Sequence, residues 1–223
     1  MYIRHSQPRW RFSFRYPAVR ARSSTTNASL SAFLVVCYNG SVAELSLMIP
    51  LGTAAPDFAL PDVVSGDVLS RDAIARGRPL LVVFASRHCP YMQHCKMELA
   101  RLGRDYGDRV GMAAISSNDA ARYADDKPES LAEMAAEEGF TFPLLYDESQ
   151  DVARAYSAMC TPDTYLFDAD LRLVYRGQLD DSRPRSGTAG DGHDIRAALD
   201  AVLTSRAVDP QQKPSMGCSI KWR

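Results

Sequence analysis

The chain has 223 residues, 46% hydrophobic and 24% charged, a mixture that excludes collagen-like, mucin-like and wholly disordered chains. No apolar run reaches the roughly 18–20 residues of a membrane-spanning helix. The net charge of −1 is uneven: residues 1–47 hold six arginines against one acid, Glu44 (+5), leaving −6 on residues 48–223, which speaks against nucleic acid as the main partner.

Residues 1–47 show no sustained helix or strand period. Their Arg-rich, Ser-rich, acid-poor composition fits a transit peptide. Alternatively, Leu30–Val36 is the core of a secretory signal with Cys37 as lipid acceptor, although Val36 stands where a small residue belongs. A third reading starts translation at Met48. The expectation is a disordered leader or non-native extension without chemistry. A start at Met48 implies a cytoplasmic protein; a genuine targeting segment implies an exported or organellar one.

From Met48 the pattern is regular. Ala55–Asp62 alternates between prolines as an edge strand, pairing with Val68–Leu69 across a turn at Ser65-Gly66-Asp67. Leu80–Ala85 is a continuous β-branched run, a buried central strand. Pro90 opens a helix whose apolar positions Met92, Leu99 and Leu102 recur at helical spacing. Val110–Ser116 is a second buried strand. A helix spans the Lys127-Pro128 start to Glu138, with Gly139 as its stop. Leu144–Tyr146 is a strand and Gln150–Tyr156 a short helix. Thr164–Phe167 and Leu173–Tyr175 form a hairpin, and His193–Leu203 is an amphipathic helix. Residues 48–206 then make one α/β domain, a mixed central sheet with helices on both faces. Residues 207–223 read as a tail.

Five cysteines (Cys37, Cys89, Cys95, Cys160, Cys218) are an odd number and too few for a disulfide scaffold. Cys89 stands where a buried strand runs straight into a helix. Unpaired N–H groups and the positive end of the helix dipole stabilise a thiolate there. Cys89 is therefore the candidate nucleophile. Cys95, six residues further along the helix, is about 9 Å higher and turned away, beyond disulfide reach; it reads as a buried side chain. His88-Cys89 and His94-Cys95 raise a zinc or copper alternative. Adjacent ligands diverge and ligands six apart on one helix do not converge, so no metal is assigned.

Several segments carry a family resemblance. Cys89-Pro90-Tyr91-Met92 stands where thioredoxins have Cys-x-x-Cys. Cys160-Thr161-Pro162-Asp163 resembles their cis-proline segment. Ala55-Pro56-Asp57-Phe58-Ala59-Leu60 resembles the opening strand of the peroxiredoxins, the alkyl hydroperoxide reductase and thiol-specific antioxidant family. With Ile115–Asp119, Tyr146–Gln150, Tyr175–Pro184 and Lys213–Trp222, the chain resembles a peroxiredoxin-like subfamily of the thioredoxin superfamily from about residue 50 onward. The resemblance implies a thioredoxin-like fold and a thiol-disulfide or peroxide-linked oxidoreductase. Its partners would be a protein thiol or disulfide, or a small peroxide, and a thiol reductant. No organic cofactor is needed.

The chain also departs from these patterns. Met92 replaces the second thioredoxin cysteine, which excludes dithiol exchange within one turn. The peroxiredoxin P-x-x-x-T-x-x-C spacing, counted back from Cys89, gives Ser86 and Val82. Cys160 and Cys218 are each either a small buried thiol or the distant thiol that resolves Cys89, and neither bridge can be deduced from spacing alone. The order is Cys160 first, because its loop should face Cys89, and Cys218 second, because a tail would have to fold back. Thr161 offers backbone pairing to a substrate beside Pro162, with Tyr91 nearby. Asn118 follows the neighbouring strand toward the mouth of the site. Asp180-Asp181-Ser182-Arg183 is either a turn with an Asp–Arg pair or brings Arg183 to the thiolate. A non-catalytic thioredoxin-fold adaptor is the alternative of another class.

Overall fold

The computed structural model describes Val36–Tyr38 and residues 41–223, with side chains from Ala43 onward. The leader readings for the first 35 residues lie outside the described residues. In chain order the elements are β1 (Val36–Tyr38), β2 (Ser41–Leu45), β3 (Ala59–Pro61), β4 (Val68–Ser70), α1 (Arg71–Ala75), β5 (Leu80–Phe84), α2 (Pro90–Tyr106), β6 (Gly111–Ser116), a 3-10 turn (Ala124–Asp126) and α3 (Pro128–Glu138). Then come β7 (Leu144–Tyr146), α4 (Asp151–Ala155), β8 (Cys160–Thr161), β9 (Asp163–Phe167), β10 (Leu173–Arg176), α5 (His193–Leu203) and β11 (Met216–Ser219).

The central sheet has the order β10-β9-β5-β6-β7. Strand β5 lies parallel to β6 and antiparallel to β9, so the sheet is mixed. All five residues of β5 are buried, because helices cover both faces. Leu81, Val83 and Leu166 pack with Leu99 of α2, Leu131 of α3 and Leu199 of α5. The alternate residues Leu80, Val82 and Phe84 pack with Ile74 of α1 and Val152 of α4. Two-residue alternation along β5 feeds both cores, at about 1.5–3 kcal/mol per buried large side chain.

A second sheet has the order β1-β2-β11-β8. It corrects two expectations. First, the domain begins upstream of residue 48: β2 pairs antiparallel with β11 in the register Ala43↔Cys218, and Ser46 and Ser215 exchange hydrogen bonds. Ala43 is buried in the same core as Cys89 and Cys218. Second, residues 207–223 are not a tail that must close. Strand β11 lies between β2 and β8, and Ile220 and Lys221 are tied to Met159, Asn118 and Asp119.

Candidate functional site

Cys89 caps the N-terminus of α2 in extended conformation (φ −74°, ψ 120°), with Pro90 in the first helical turn. No side chain caps this helix, so its first N–H groups are left to the sulfur. Opposite lies the Thr161–Pro162 bond, which is cis and joins β8 to β9. The protonated Cys89 donates from Sγ to the Thr161 carbonyl at 3.0 Å.

Burial pushes the Cys89 thiol up. Hydrogen bonds from the Cys218 thiol, the Thr161 side chain and the backbone N–H groups of Met92 and Cys218 outweigh burial, and Cys89 is lowered from 9.0 to about 6. The Thr161 hydroxyl is buried without a hydrogen-bond partner while Cys89 is protonated, and can turn onto the sulfur once the proton leaves. Cys218 moves the opposite way. It is the donor to Cys89, it is buried, and its ionisation would set a second negative charge beside the first. Burial raises Cys95 and Cys160 as well. The four cysteines from Cys89 onward are free thiols.

The order of resolving candidates is therefore reversed. Cys218 sits opposite Thr161, whose carbonyl accepts from Cys89, and it is buried in the same core as Cys89. Cys160 is the next residue along β8, so its side chain points to the other face, where Sγ contacts the Pro162 carbonyl at 3.6 Å. The Thr161 backbone is not open to a substrate either, since β11 already occupies that edge.

The remaining predicted residues divide. Tyr91, Pro162 and Arg183 line a cavity of about 30 Å³ together with Cys95, His94 and Met216. Arg183 does not support the thiolate. Its guanidinium donates to the Asp180 and Ser182 carbonyls and to Gln178, while the Asp180 carboxylate accepts from Ser182, Asp191 and Gly192. Nor does Asn118 reach Cys89. It donates to Asp126 at 2.7 Å and accepts from the Lys221 N–H at 2.8 Å, tying the C-terminal segment to β6. Among the described residues, the one group of side chains whose ligand atoms converge is Asp181, His193 and Asp194. The Lys213 ammonium sits on Asp181 at 2.7 Å. The His88-Cys89 and His94-Cys95 pairs form no such group.

Asp126 escaped sequence reasoning. It is fully buried and accepts from Ser86 Oγ (3.0 Å), the Arg87 N–H (2.6 Å) and Asn118, with His88 Nδ1 at 2.6 Å. Burial raises its pKa, but hydrogen bonds led by His88 hold it below the usual carboxylate value. This one carboxylate fixes the loop from Ser86 to His88 that delivers Cys89 to the helix. In sequence nothing distinguishes it from its exposed neighbour Asp125.

A central mixed sheet, a strand-to-helix cysteine and a cis-proline turn facing it define a thioredoxin-fold thiol protein. The chain belongs to the AhpC/TSA family, whose profile matches residues 51–176. It is 51% identical, with a TM-score of 0.79, to an uncharacterized conserved protein of Geobacillus kaustophilus, over 81% of this chain and 96% of that one. A hypothetical protein of Sinorhizobium meliloti is 43% identical, with a TM-score of 0.78, over 80% of this chain and 98% of that one. A peroxidoxin of Mycobacterium tuberculosis shares the fold at 20% identity and a TM-score of 0.52, over 70% of this chain and 96% of that one. No curated protein matches the chain. The family supports thiol-based redox chemistry in general. No helix among the described residues is long and apolar enough to cross a membrane.

Proposed function

We propose that the protein is a thiol-dependent oxidoreductase in which Cys89 is the nucleophile and Cys218 the resolving thiol. The observation that carries this reading is the strand register that sets Cys218 opposite Thr161, whose carbonyl accepts from Cys89 at 3.0 Å. With a hydroperoxide, the Cys89 thiolate attacks one peroxide oxygen. The O–O bond breaks, the alcohol or water leaves with a proton, and Cys89 becomes a sulfenic acid. Cys218 then attacks that sulfur, its proton leaves with the hydroxyl as water, and a Cys89–Cys218 disulfide remains. With a disulfide substrate, the same attack gives a mixed disulfide and releases one thiolate, and Cys218 releases the second. Two electrons from a thiol reductant restore both thiols.

The peroxide route is supported by the burial of Cys89, which has 0% exposure and offers no surface to a folded protein disulfide. The same burial is what favours the adaptor alternative. Turnover separates the two: hydrogen peroxide consumption by the full chain with excess dithiothreitol. The oxidoreductase reading expects catalytic consumption that Cys89→Ser abolishes and Cys218→Ser slows. Consumption no faster than dithiothreitol alone supports the adaptor.

A further inference from the structure

The C-terminal strand closes the edge that would receive a polypeptide. Strand β11 pairs with β8 through Cys218↔Thr161 and Ser219↔Cys160, so the edge of β8 that faces β11 is already taken beside Pro162. Its seat depends on one missing side chain. A Cβ at Gly217 would lie 2.1 Å from the Thr161 carbonyl oxygen and 2.5 Å from the carbonyl carbon, far inside any real contact. On its other side β11 is held by β2, and the chain beyond it is pinned by Ile220 and Lys221. Cys89 lies beneath this cover at 0% exposure, and Cys218, a residue of the strand itself, is 2% exposed.

Neither Cys89 nor Cys218 lines the cavity of about 30 Å³, but residues close to both in sequence do. Its walls include Tyr91, two residues from Cys89; Pro162, next to the carbonyl that Cys89 contacts; and Met216, two residues from Cys218. We infer that β11 makes Cys89 selective by size. Small thiol-reactive molecules reach it past Tyr91, Pro162 and Met216 by small local displacements, and polypeptide disulfides are excluded while β11 is seated. Gly217 is the residue that sets this selectivity. The inference rests on the reading of Cys89 as the reactive thiol.

The test uses the reduced full chain and one chemical group in two sizes: N-ethylmaleimide, and the same maleimide carried on a polyethylene-glycol chain. Each rate at Cys89, read by peptide mass spectrometry, is divided by the rate with free cysteine. The small reagent should be ahead by more than about tenfold. Gly217→Ala should largely remove that difference by unseating the strand, and Cys218→Ala should keep it, because the strand stays in place. Should Gly217→Ala not fold, hydrogen exchange of the unaltered chain takes its place: the bulky reagent should then label Cys89 at the rate at which β11 amides open, faster than global unfolding. Equal normalised rates in the unaltered chain overturn the inference. So does a small-reagent rate no faster than global unfolding. Peroxide turnover reports separately on the function, so a redox-active chain without size discrimination fails this inference alone.

Discussion

Cys89 and Cys218, 129 residues apart in sequence, meet at Thr161: Cys89 Sγ donates to its carbonyl at 3.0 Å, and Cys218 is its partner in the β11–β8 register. The two thiols shift in opposite directions, Cys89 down and Cys218 up.

The first expectation follows from that asymmetry. Alkylation of Cys89 by iodoacetamide should rise through a midpoint near pH 6, where its thiolate forms. Cys218→Ala removes the strongest of the bonds that lower it, and the midpoint should move up toward 9.0. Cys95 and Cys160 should label only at much higher pH or after unfolding, because burial raises both. A midpoint unchanged in Cys218→Ala would show that Thr161 and the helix N-terminus lower Cys89 without Cys218.

Asp163 gives a second pH signature. It follows Pro162 in β9, and burial pushes it up to about 7 although Met159 N–H and Tyr165 donate to it. The folded value lies above the unfolded 3.8, so the folded state holds the extra proton between the two. Its contribution is complete below pH 4 and is lost as pH rises through 7. Urea titrations should show this loss in the unaltered chain, and Asp163→Asn should flatten it.

Asp126 should matter for stability. Asp126→Ala leaves the Ser86 hydroxyl, the Arg87 N–H and the Asn118 amide without their shared acceptor. The expected cost is roughly 3 kcal/mol, since each buried polar group left unpaired costs about 1–3. The check is a shifted urea midpoint at unchanged slope. A cost below about 1 kcal/mol would mean that water replaces the carboxylate.

The N-terminal boundary can be tested by truncation. A chain starting at Met48 lacks β2 and the Ser46–Ser215 bonds; a chain starting at Val35 keeps them. The shorter chain should lose roughly 2–4 kcal/mol relative to the longer one, counting about 1 per hydrogen bond. Its Cys89 should also label faster, because β11 loses one of its two neighbours. Equal stability would restore Met48 as the boundary.

Sequence legibility follows the source of order. Continuous apolar runs such as Leu80–Phe84 and Gly111–Ser116 announce central strands, because burial on both faces dictates their composition. Cys89-Pro90 announces the helix start that carries the candidate cysteine, because that requirement is local. Strands β2, β8 and β11 were not legible. Met216-Gly217-Cys218-Ser219 has no alternation and follows Pro214, and its glycine answers to the distant Thr161 carbonyl. The preference for Cys160 over Cys218 came from nearness in sequence to Pro162. A two-residue strand puts neighbouring side chains on opposite faces, and only the β11 register shows which cysteine shares a face with Cys89.

The central claim is that Cys89 and Cys218 form one redox pair, and a disulfide map after a stoichiometric hydrogen peroxide pulse tests it most directly. Reduced full-length protein is pulsed, alkylated in acid, digested without reductant and read by mass spectrometry. The account predicts a peptide pair joined through Cys89 and Cys218, with Cys95 and Cys160 still alkylated, and no joined pair in Cys218→Ser, where Cys89 stops at sulfenic or higher oxides. A Cys89–Cys160 bridge, a Cys89 bridge between two chains, or thiols all unchanged by the pulse would contradict it.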